Sequence, residues 1–295
     1  VPGRLSFHDS DGVEVAADWS FTVTYSRLDA GNARPSPGLN RGIHIRMVQA
    51  PPDSGLANSL ERAEKQLALD ASIPVLIDTN TVLQVVNMSQ DATTAGYYVD
   101  ETLVPGLEEF GNTDDFTVEC RAWLDLAAGP HRFGVISDDG YKLSSGALPT
   151  AQDPVLGFVN GGPTPGTGSL IEFVAPVAGL YPFRLVWYER GGGAHAEWYS
   201  ENLATGDRIL INDPASGAAI KAYVDAPAPP AVQLQSSANV TTGYVTEAGA
   251  TVDATAKRVT ATQNGPARFY RLLSGSALRL KTIKIEGGQV VIEYE

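Results

Sequence analysis

Alternation of apolar and polar residues recurs along the chain and predicts β-strands. The clearest run is Phe116–Leu126, in which every second residue is apolar and most of the residues between are polar. Residues two apart share one face of a strand, so this run predicts a strand with one buried face. Similar runs predict further strands at Trp19–Tyr25, His131–Ile136, Ile171–Val174, Tyr181–Tyr188, Ala194–Tyr199, Leu278–Ile285 and Gln289–Tyr294.

One segment has a helical pattern instead. From Leu56 to Asp70, apolar residues recur at helical spacing, and Asn58 with Glu61 three residues later is typical of a capping box. We predict one short helix here, capped by Asn58 and packed against a sheet edge. The many strands and single helix predict an all-β fold, an antiparallel β-sandwich with one short helix followed by a small C-terminal β domain.

Proline and glycine mark the expected domain boundaries. Asp225–Pro230 is rich in proline and alanine and predicts a semi-rigid linker, and the loop 31–38 could serve as another. We therefore divide the chain into an N-terminal strand segment and loop (1–38), a large sandwich (39–225), a linker (226–230) and a C-terminal β domain (231–295). The glycine pair Gly287–Gly288 predicts a hairpin turn in that last domain.

Composition narrows the possible partners. Hydrophobic residues make up 43% of the 295 residues, enough for a real core, and the net charge is −13. That charge disfavours binding to nucleic acid or anionic membranes and suits a hard cation such as calcium. No apolar run has the length of a membrane span. The chain opens at Val1 without an initiator Met, which predicts a processed exported protein or a trimmed chain.

The sequence offers no recognisable catalytic constellation. The four histidines lack metal-ligand spacing, and Gly191–Gly193 precedes a predicted strand, whereas a phosphate-binding glycine loop opens a helix. The lone cysteine, Cys120, lies on the apolar face of its predicted strand, which favours a buried, inert thiol. Acidic residues are scattered and nothing selects a glycosidase pair, so we expect a non-catalytic protein. The aromatic residues that could stack on sugars or pack in the core are Trp123, Trp187, Tyr188 and Trp198.

The segment Ile136–Leu143 carries the most distinctive chemistry. It places Asp138 and Asp139 before Gly140, at the end of a predicted strand. Consecutive side chains of a regular strand point to opposite faces, so this pair could share one ion only across a distorted backbone, such as a cis peptide bond. Taken alone, the local sequence favours a plain hairpin turn, with a shared ion site as the alternative.

Two longer motifs resemble one known family. Residues 131–143, HRFGVISDDGYKL, resemble the "F-G-V-x-S-D-D-G-x-x-L" strand-turn-strand of the protective-antigen (PA-fourteen) domain family. About 45 residues later, GLYPFRLVWYERGGGA (179–194) resembles that family's "G-x-Y-P-I-R-I-x-Y-Y-E-x-G-G-G-A" block. His195–Ser200 follows where the family has an "L-x-W-S" strand. The resemblance extends over 39–225 and is closest from Phe116 to Ser200.

The resemblance implies a β-sandwich found in bacterial toxins, glycosidases, adhesins and yeast flocculins, often in carbohydrate recognition. It implies that Asp138 and Asp139 are cis-linked and bind calcium, which in turn chelates sugar hydroxyls. The lectin-like members add an asparagine ligand, for which Asn160 is a candidate here, with a plain turn residue as the alternative. Tyr141 is a further candidate contact to the ligand. The chain departs from the family after this motif, with SSGA at 144–147 where the family has "Y-I-D-G".

These observations predict an extracellular or bacterial cell-surface protein that binds a glycan or cell-surface polysaccharide with the help of calcium. One alternative is a subunit of a surface fibre, held to identical subunits by exchange of terminal strands. The charge pattern supports this alternative, because Lys257–Ile285 contains seven bases and no acid and is therefore complementary to the acidic remainder of the chain. A further alternative is an accessory domain of a polysaccharide-degrading enzyme.

Overall fold

The computed structural model is nearly all β, which confirms the predicted fold class. It describes residues 2–8, 14–20, 25–52, 54–92, 95–107, 113–146, 150–226, 232–253, 256–263, 265, 268–274 and 278–295, the first two ranges as backbone only.

The first strands, in chain order, are β1 (Pro2–His8), β2 (Glu14–Ser20), β3 (Ser26–Arg27), β4 (Leu39–Arg41), β5 (Ile43–Gln49), β6 (Ile77–Leu83), β7 (Asn87–Ser89) and β8 (Thr102–Leu103). The next are β9 (Phe116–Leu126), β10 (Gly129–Asp138), β11 (Tyr141–Ser144), β12 (Val155–Val159), β13 (Ser169–Ala175), β14 (Gly179–Glu189), β15 (His195–Glu201) and β16 (Arg208–Leu210). The last are β17 (Ala222–Asp225), β18 (Val232–Ser237), β19 (Val245–Thr246), β20 (Thr251–Asp253), β21 (Arg258–Thr262), β22 (Phe269–Ser274), β23 (Leu280–Glu286) and β24 (Gln289–Tyr294).

Two large sheets face each other as a sandwich. The seven-stranded sheet has the order β3-β13-β10-β15-β7-β8, with β16 also on β15. The eight-stranded sheet has the order β12-β11-β14-β9-β17-β4, with β5 on β9 and β6 on β5. The short pairs β3–β13 and β7–β8 are parallel. Aromatic side chains from both sheets meet between them, with the rings of Phe133 and Phe183 5.5 Å apart and those of Phe183 and Trp198 6.3 Å apart.

Apart from the segment Trp19–Tyr25, the predicted strands are present, and some of them have the predicted bounds. β9 and β24 begin and end where the alternation predicts, and the apolar face of β9 lies in the core. The predicted strand Trp19–Tyr25 is different: its first two residues end β2, and 21–24 lie outside the described residues.

The helix is shorter than predicted and has another cap. Helix α1 (Leu60–Leu67) begins after Ser59, whose hydroxyl accepts a 3.3 Å hydrogen bond from the backbone N–H of Arg62. Asn58 is therefore not the cap. The helix also does not pack against a sheet edge, because its apolar face covers Val186 and Tyr188 on the outer side of the central strand β14. Every residue of β14 is buried, with α1 covering Val186 and Tyr188 and the backbone of Arg34 pairing with Leu180 near the start of the strand.

Residues before Leu39 contribute to the sandwich. Ser26–Arg27 pairs with β13, and Leu28 belongs to the main hydrophobic core. The Arg34 backbone also pairs with that of Leu180. The loop 31–38 is therefore attached to the sandwich body.

The chain after Val232 has small sheets and a hydrophobic cluster of its own. The sheet β19-β18-β22 and the sheet β20-β21-β24-β23 contribute apolar residues to this cluster. Gly287 and Gly288 form the predicted hairpin turn between β23 and β24, with φ of +57° and +77°, values that glycine adopts readily. Most of the predicted linker (227–230) lies outside the described residues. Among the described helices, none has the length and apolar character needed to cross a membrane.

Candidate functional site

The segment around Asp138 and Asp139 carries the chain from one sheet to the other. Asp138 ends β10, which pairs with β13 and β15, whereas β11 pairs with β12 and β14. The hairpin interpretation of Asp-Asp-Gly is therefore wrong, because the strands on either side of it do not pair with each other. The peptide bond between Asp138 and Asp139 is cis, as the family resemblance implies.

Neighbouring side chains fix the backbone of this crossover. The indole N–H of Trp187 donates a 2.8 Å hydrogen bond to the carbonyl of Asp138. The hydroxyl of Ser137 donates to the carbonyl of Asp139, also at 2.8 Å. Gly140 has no room for a side chain, since an added Cβ would lie 2.5 Å from the carbonyl oxygen of Val159 and closer still to the Tyr188 hydroxyl. The crossover therefore requires glycine after the acidic pair.

A third carboxylate joins the acidic pair. One ligand oxygen from each of Asp138, Asp139 and Glu189 lies within 4.8 Å of the others. Glu189 ends β14, so the two sheets each supply a strand end to this carboxylate cluster. The Glu189 side chain is fully buried and that of Asp139 nearly so, while Asp138 is partly exposed. The cluster thus has a buried back and one accessible side.

Glu189 is the site residue that sequence reasoning missed. It was one acid among many, with nothing to select it. Its position offers a signal in retrospect, since it ends a predicted strand directly before the glycines of the second family-like motif, as Asp138 ends a predicted strand in the first.

Backbone N–H groups hold two of the three carboxylates. One oxygen of Asp139 accepts a 3.1 Å hydrogen bond from the N–H of Arg190, and Glu189 Oε1 accepts one of 2.5 Å from the N–H of Gly191. The other oxygen of Glu189, Oε2, is buried and has no hydrogen-bond partner among the described residues. Buried acceptors rarely remain unpaired, and a water molecule or a metal ion could supply the partner here.

Two basic side chains lie near the carboxylate cluster, Arg62 near Asp139 and Glu189 and His195 near Asp138. Burial and the neighbouring Asp139 raise the pKa of Glu189 to about 8, and the same two causes raise the pKa of Asp138. Arg62 is a nearby buried cation, but its guanidinium donates to the backbone carbonyl of Glu189 at 3.0 Å and not to a carboxylate. Among the described residues, no salt bridge involves the three acids.

This donor set fits calcium. Ca²⁺ takes oxygen ligands at about 2.3–2.6 Å, so that oxygens around one ion lie up to about 5 Å apart. The carboxylate cluster supplies oxygens at that spacing, and one of its residues, Glu189, also carries the unpaired buried Oε2. Asp138 and Asp139, both predicted metal ligands, and Glu189 are the residues that would hold the ion.

The two predicted ligand contacts occupy different environments. Asn160 is exposed and lies beside the cluster, where its side-chain oxygen accepts from the N–H of Leu60 at 2.8 Å and from the Tyr188 hydroxyl at 3.2 Å. That oxygen therefore caps the first residue of α1, and its role as a ligand stays a prediction. Tyr141 is 1% exposed and its ring lies in the core, out of reach of a surface ligand.

The aromatic residues and the cysteine also have defined places. Trp187 and Trp198 are fully buried in the main core, as expected for core packing, whereas Tyr188 is fully buried on the outer face of β14 beneath α1. Trp123 lies on the outer face of β9, with the guanidinium of Arg34 5.7 Å from its ring centre. Cys120 is buried as predicted, and burial raises the pKa of its thiol.

Comparison with known proteins gives similar structures but no matching family. No family model and no curated protein matches the chain. The A domain of epithelial adhesin 9 from Candida glabrata, in complex with Galb1-4GlcNAc, is 12% identical with a TM-score of 0.44, covering 63% of this chain and 92% of the adhesin domain. A PA14 sugar-binding domain from an RTX adhesin is 17% identical with a TM-score of 0.39, covering 58% of this chain and 95% of that domain. The PA14 domain of the MpAFP antifreeze protein is 14% identical with a TM-score of 0.37, covering 60% and 89%. The solved structures that resemble this chain thus include PA14 domains, at similarities too low to carry an argument about function.

Proposed function

We propose that this chain is a non-catalytic, extracellular adhesion module that binds carbohydrate with the help of calcium. The observation that carries the proposal is the convergence of Asp138, Asp139 and Glu189 within 4.8 Å at a partly exposed rim of the sandwich. When bound, calcium would supply positive charge and further coordination positions, which vicinal hydroxyls of a sugar can fill.

In this proposal the three acidic residues have different positions in the site. Asp139 and Glu189 form the buried back of the site, where backbone N–H groups orient their carboxylates. Asp138 lies on the accessible side. His195 is directly opposite Asp138 in the pairing of β10 with β15, so its side chain borders the accessible side.

The test compares calcium dependence of folding and of glycan binding. The double variant Asp138→Asn, Asp139→Asn keeps the size of both side chains and removes two ligand charges. Asp207→Asn, at an exposed position, serves as the control for loss of an acid. We expect calcium to raise the melting temperature of the wild type and the control but not of the double variant, because a ligand that binds only the folded state stabilises it.

Glycan binding is measured on an array with calcium and with chelator. Retention of calcium-dependent glycans by the control and their loss in the double variant would support the proposal. Calcium-independent melting of the wild type would overturn the metal site, and calcium-dependent melting with no bound glycan would overturn carbohydrate binding while leaving the ion structural.

A second function, a subunit of a self-assembling fibre, rests on a different observation. Strand β23 is the edge of its sheet, and Leu280, Ile283 and Ile285 on it are 53–60% exposed. An edge strand with exposed apolar side chains can pair with a strand of another chain. Light scattering of the purified chain over a range of concentrations tests this: long polymers that persist on dilution favour the fibre, and a monomer favours the adhesion module.

A further inference from the structure

A second group of buried carboxylates lies on the outer face of the seven-stranded sheet. Glu197 in β15 and Asn87 in β7 are directly opposite each other in the antiparallel register. Their neighbours Ala196 and Met88 are also opposite each other and point into the core. Because side chains alternate along a strand, Glu197 and Asn87 point outward together, with Cβ atoms about 4.5–5.5 Å apart.

The segment 95–101 covers these two side chains. Glu197 Oε1 accepts a 2.8 Å hydrogen bond from the N–H of Tyr98. Glu101 reaches the same place from the covering segment, where its Oε1 accepts from the N–H groups of Ala95 and Gly96, both at 3.2 Å. Gly96 also lies against the Glu197 carboxylate, since an added Cβ would come within 2.8 Å of Oε2. Both carboxylates therefore contact one residue, Gly96.

The region beneath the segment 95–101 contains several buried oxygen atoms with unused hydrogen-bonding capacity. Four polar atoms are buried and have no hydrogen-bond partner in the described part of the chain: Glu197 Oε2, Glu101 Oε2, Asn87 Oδ1 and the Tyr98 hydroxyl. Glu197, Asn87 and Glu101 are only 0%, 3% and 7% exposed. The amide nitrogen of Asn87 donates to the Val99 carbonyl at 2.9 Å, which leaves its oxygen as the free acceptor beneath the segment.

Hydrogen-bond donors of the described residues do not account for these oxygens. Three of the four atoms can only accept when the acids are ionised, and one phenol proton cannot satisfy three acceptors. The guanidinium of Arg208, over the Tyr97 and Tyr199 rings, donates to Glu201 and to the Thr167 carbonyl. Within the described ranges, no salt bridge includes Glu101 or Glu197. Burial, and after it the nearby Glu101, raise the pKa of Glu197.

We propose that Glu197, Glu101 and Asn87 form a second cation site, which takes a divalent ion that prefers oxygen ligands, such as Ca²⁺, and fixes the segment 95–101 to the sheet. Two carboxylates balance the charge of such an ion. The donor set contains no sulfur or imidazole, which disfavours zinc and copper. The amide oxygen of Asn87 is a normal calcium ligand, and waters would complete the shell of about 6–8 oxygens.

Calcium titration calorimetry on the full chain tests this site separately from the first one. The variant Glu101→Gln, Glu197→Gln removes the charges with little change of shape, and Glu61→Gln, Glu286→Gln removes the same charge from two exposed positions. The variant Asp138→Asn, Asp139→Asn isolates the second site. We expect one equivalent of bound Ca²⁺ fewer in the Glu101/Glu197 variant than in the Glu61/Glu286 control. We also expect one equivalent to persist in the Asp138/Asp139 variant.

Limited proteolysis supplies a second readout, which also serves if the double variant folds poorly. Calcium should protect the segment 95–101 in the Asp138/Asp139 variant, and the single change Glu101→Gln in that background should remove the protection. Absence of bound Ca²⁺ in the Asp138/Asp139 variant would overturn the second site. So would unchanged stoichiometry in the Glu101/Glu197 variant together with a higher melting temperature in chelator, because the two acids would then hold protons.

Discussion

Gly140 allows a sharp test of how tightly the crossover between the sheets is packed. In Gly140→Ala, the new Cβ would lie 2.5 Å from the Val159 carbonyl oxygen and closer still to the Tyr188 hydroxyl. Ordinary contacts between such atoms are about 3.5 Å or more. Forcing an extra carbon into a packed interior usually costs about 1–3 kcal/mol.

The Tyr188 hydroxyl cannot move without further loss. It accepts a 2.7 Å hydrogen bond from the N–H of Gly161 and donates to Asn160 at 3.2 Å. Each of these bonds contributes about 0.5–1.5 kcal/mol. We therefore expect Gly140→Ala to lower the free energy of unfolding by about 3 kcal/mol. For a domain of this size that corresponds to a melting temperature about 6–12 °C lower.

The assay is thermal unfolding in chelator, so that no metal contributes, with Gly162→Ala as the matched control. Gly162 directly follows Gly161, the residue whose N–H donates to the Tyr188 hydroxyl. An added Cβ at Gly162 would meet nothing of the described residues within 4 Å. The control should melt within about 0.5 kcal/mol of the wild type. If Gly140→Ala and Gly162→Ala melt together, the crossover is not packed as described and the reasoning is refuted.

Three other predictions concern buried polar groups. Burial raises the pKa of Glu64, but hydrogen bonds from Arg184 and Lys142 outweigh it and leave that pKa below its usual 4.5. The contribution of Glu64 to the free energy of unfolding is therefore present above about pH 4.5 and lost as the pH falls below that value. Glu64→Gln should flatten this part of a pH–stability curve and lower the free energy of unfolding by about 3 kcal/mol at neutral pH. Cys120 should resist thiol reagents in the native state and react at the rate of unfolding; fast native labelling would contradict its burial. Tyr188→Phe removes a buried hydroxyl that accepts a 2.7 Å hydrogen bond, and chemical denaturation should give a loss of about 1 kcal/mol, whereas no loss would mean that water replaces the bond.

Elements set by local pattern could be predicted from the sequence. The alternation in Phe116–Leu126 gives the bounds of β9, because one face of that strand lies in the core along its whole length. The helix was harder. Ser59 and Asn58 are both good caps, and the choice between them is also affected by Asn160, whose side chain binds the first N–H of the helix from 100 residues away.

Part of the candidate site could also be predicted from the sequence, and part could not. Asp138 and Asp139 are adjacent and carry a recognisable motif, so the sequence was enough to select them. Glu189 needed the knowledge that β10 and β14, which belong to different sheets, end at the same rim. The Glu197–Asn87 pairing likewise depends on the register between β15 and β7, which are far apart in the chain. No local pattern encodes either relation.

Both sheets contribute carboxylates to the cluster, and this affects how cooperatively the two sheets open. Asp138 ends a strand of one layer and Glu189 ends a strand of the other, with Asp139 in the peptide that joins the layers. Anything that engages all three side chains ties the layers together at that end. Opening of the two sheets should then be coupled, so that amide hydrogens in β10 and β14 report one common free energy of opening when the cluster is engaged. Without that engagement, the two layers should have separate opening free energies.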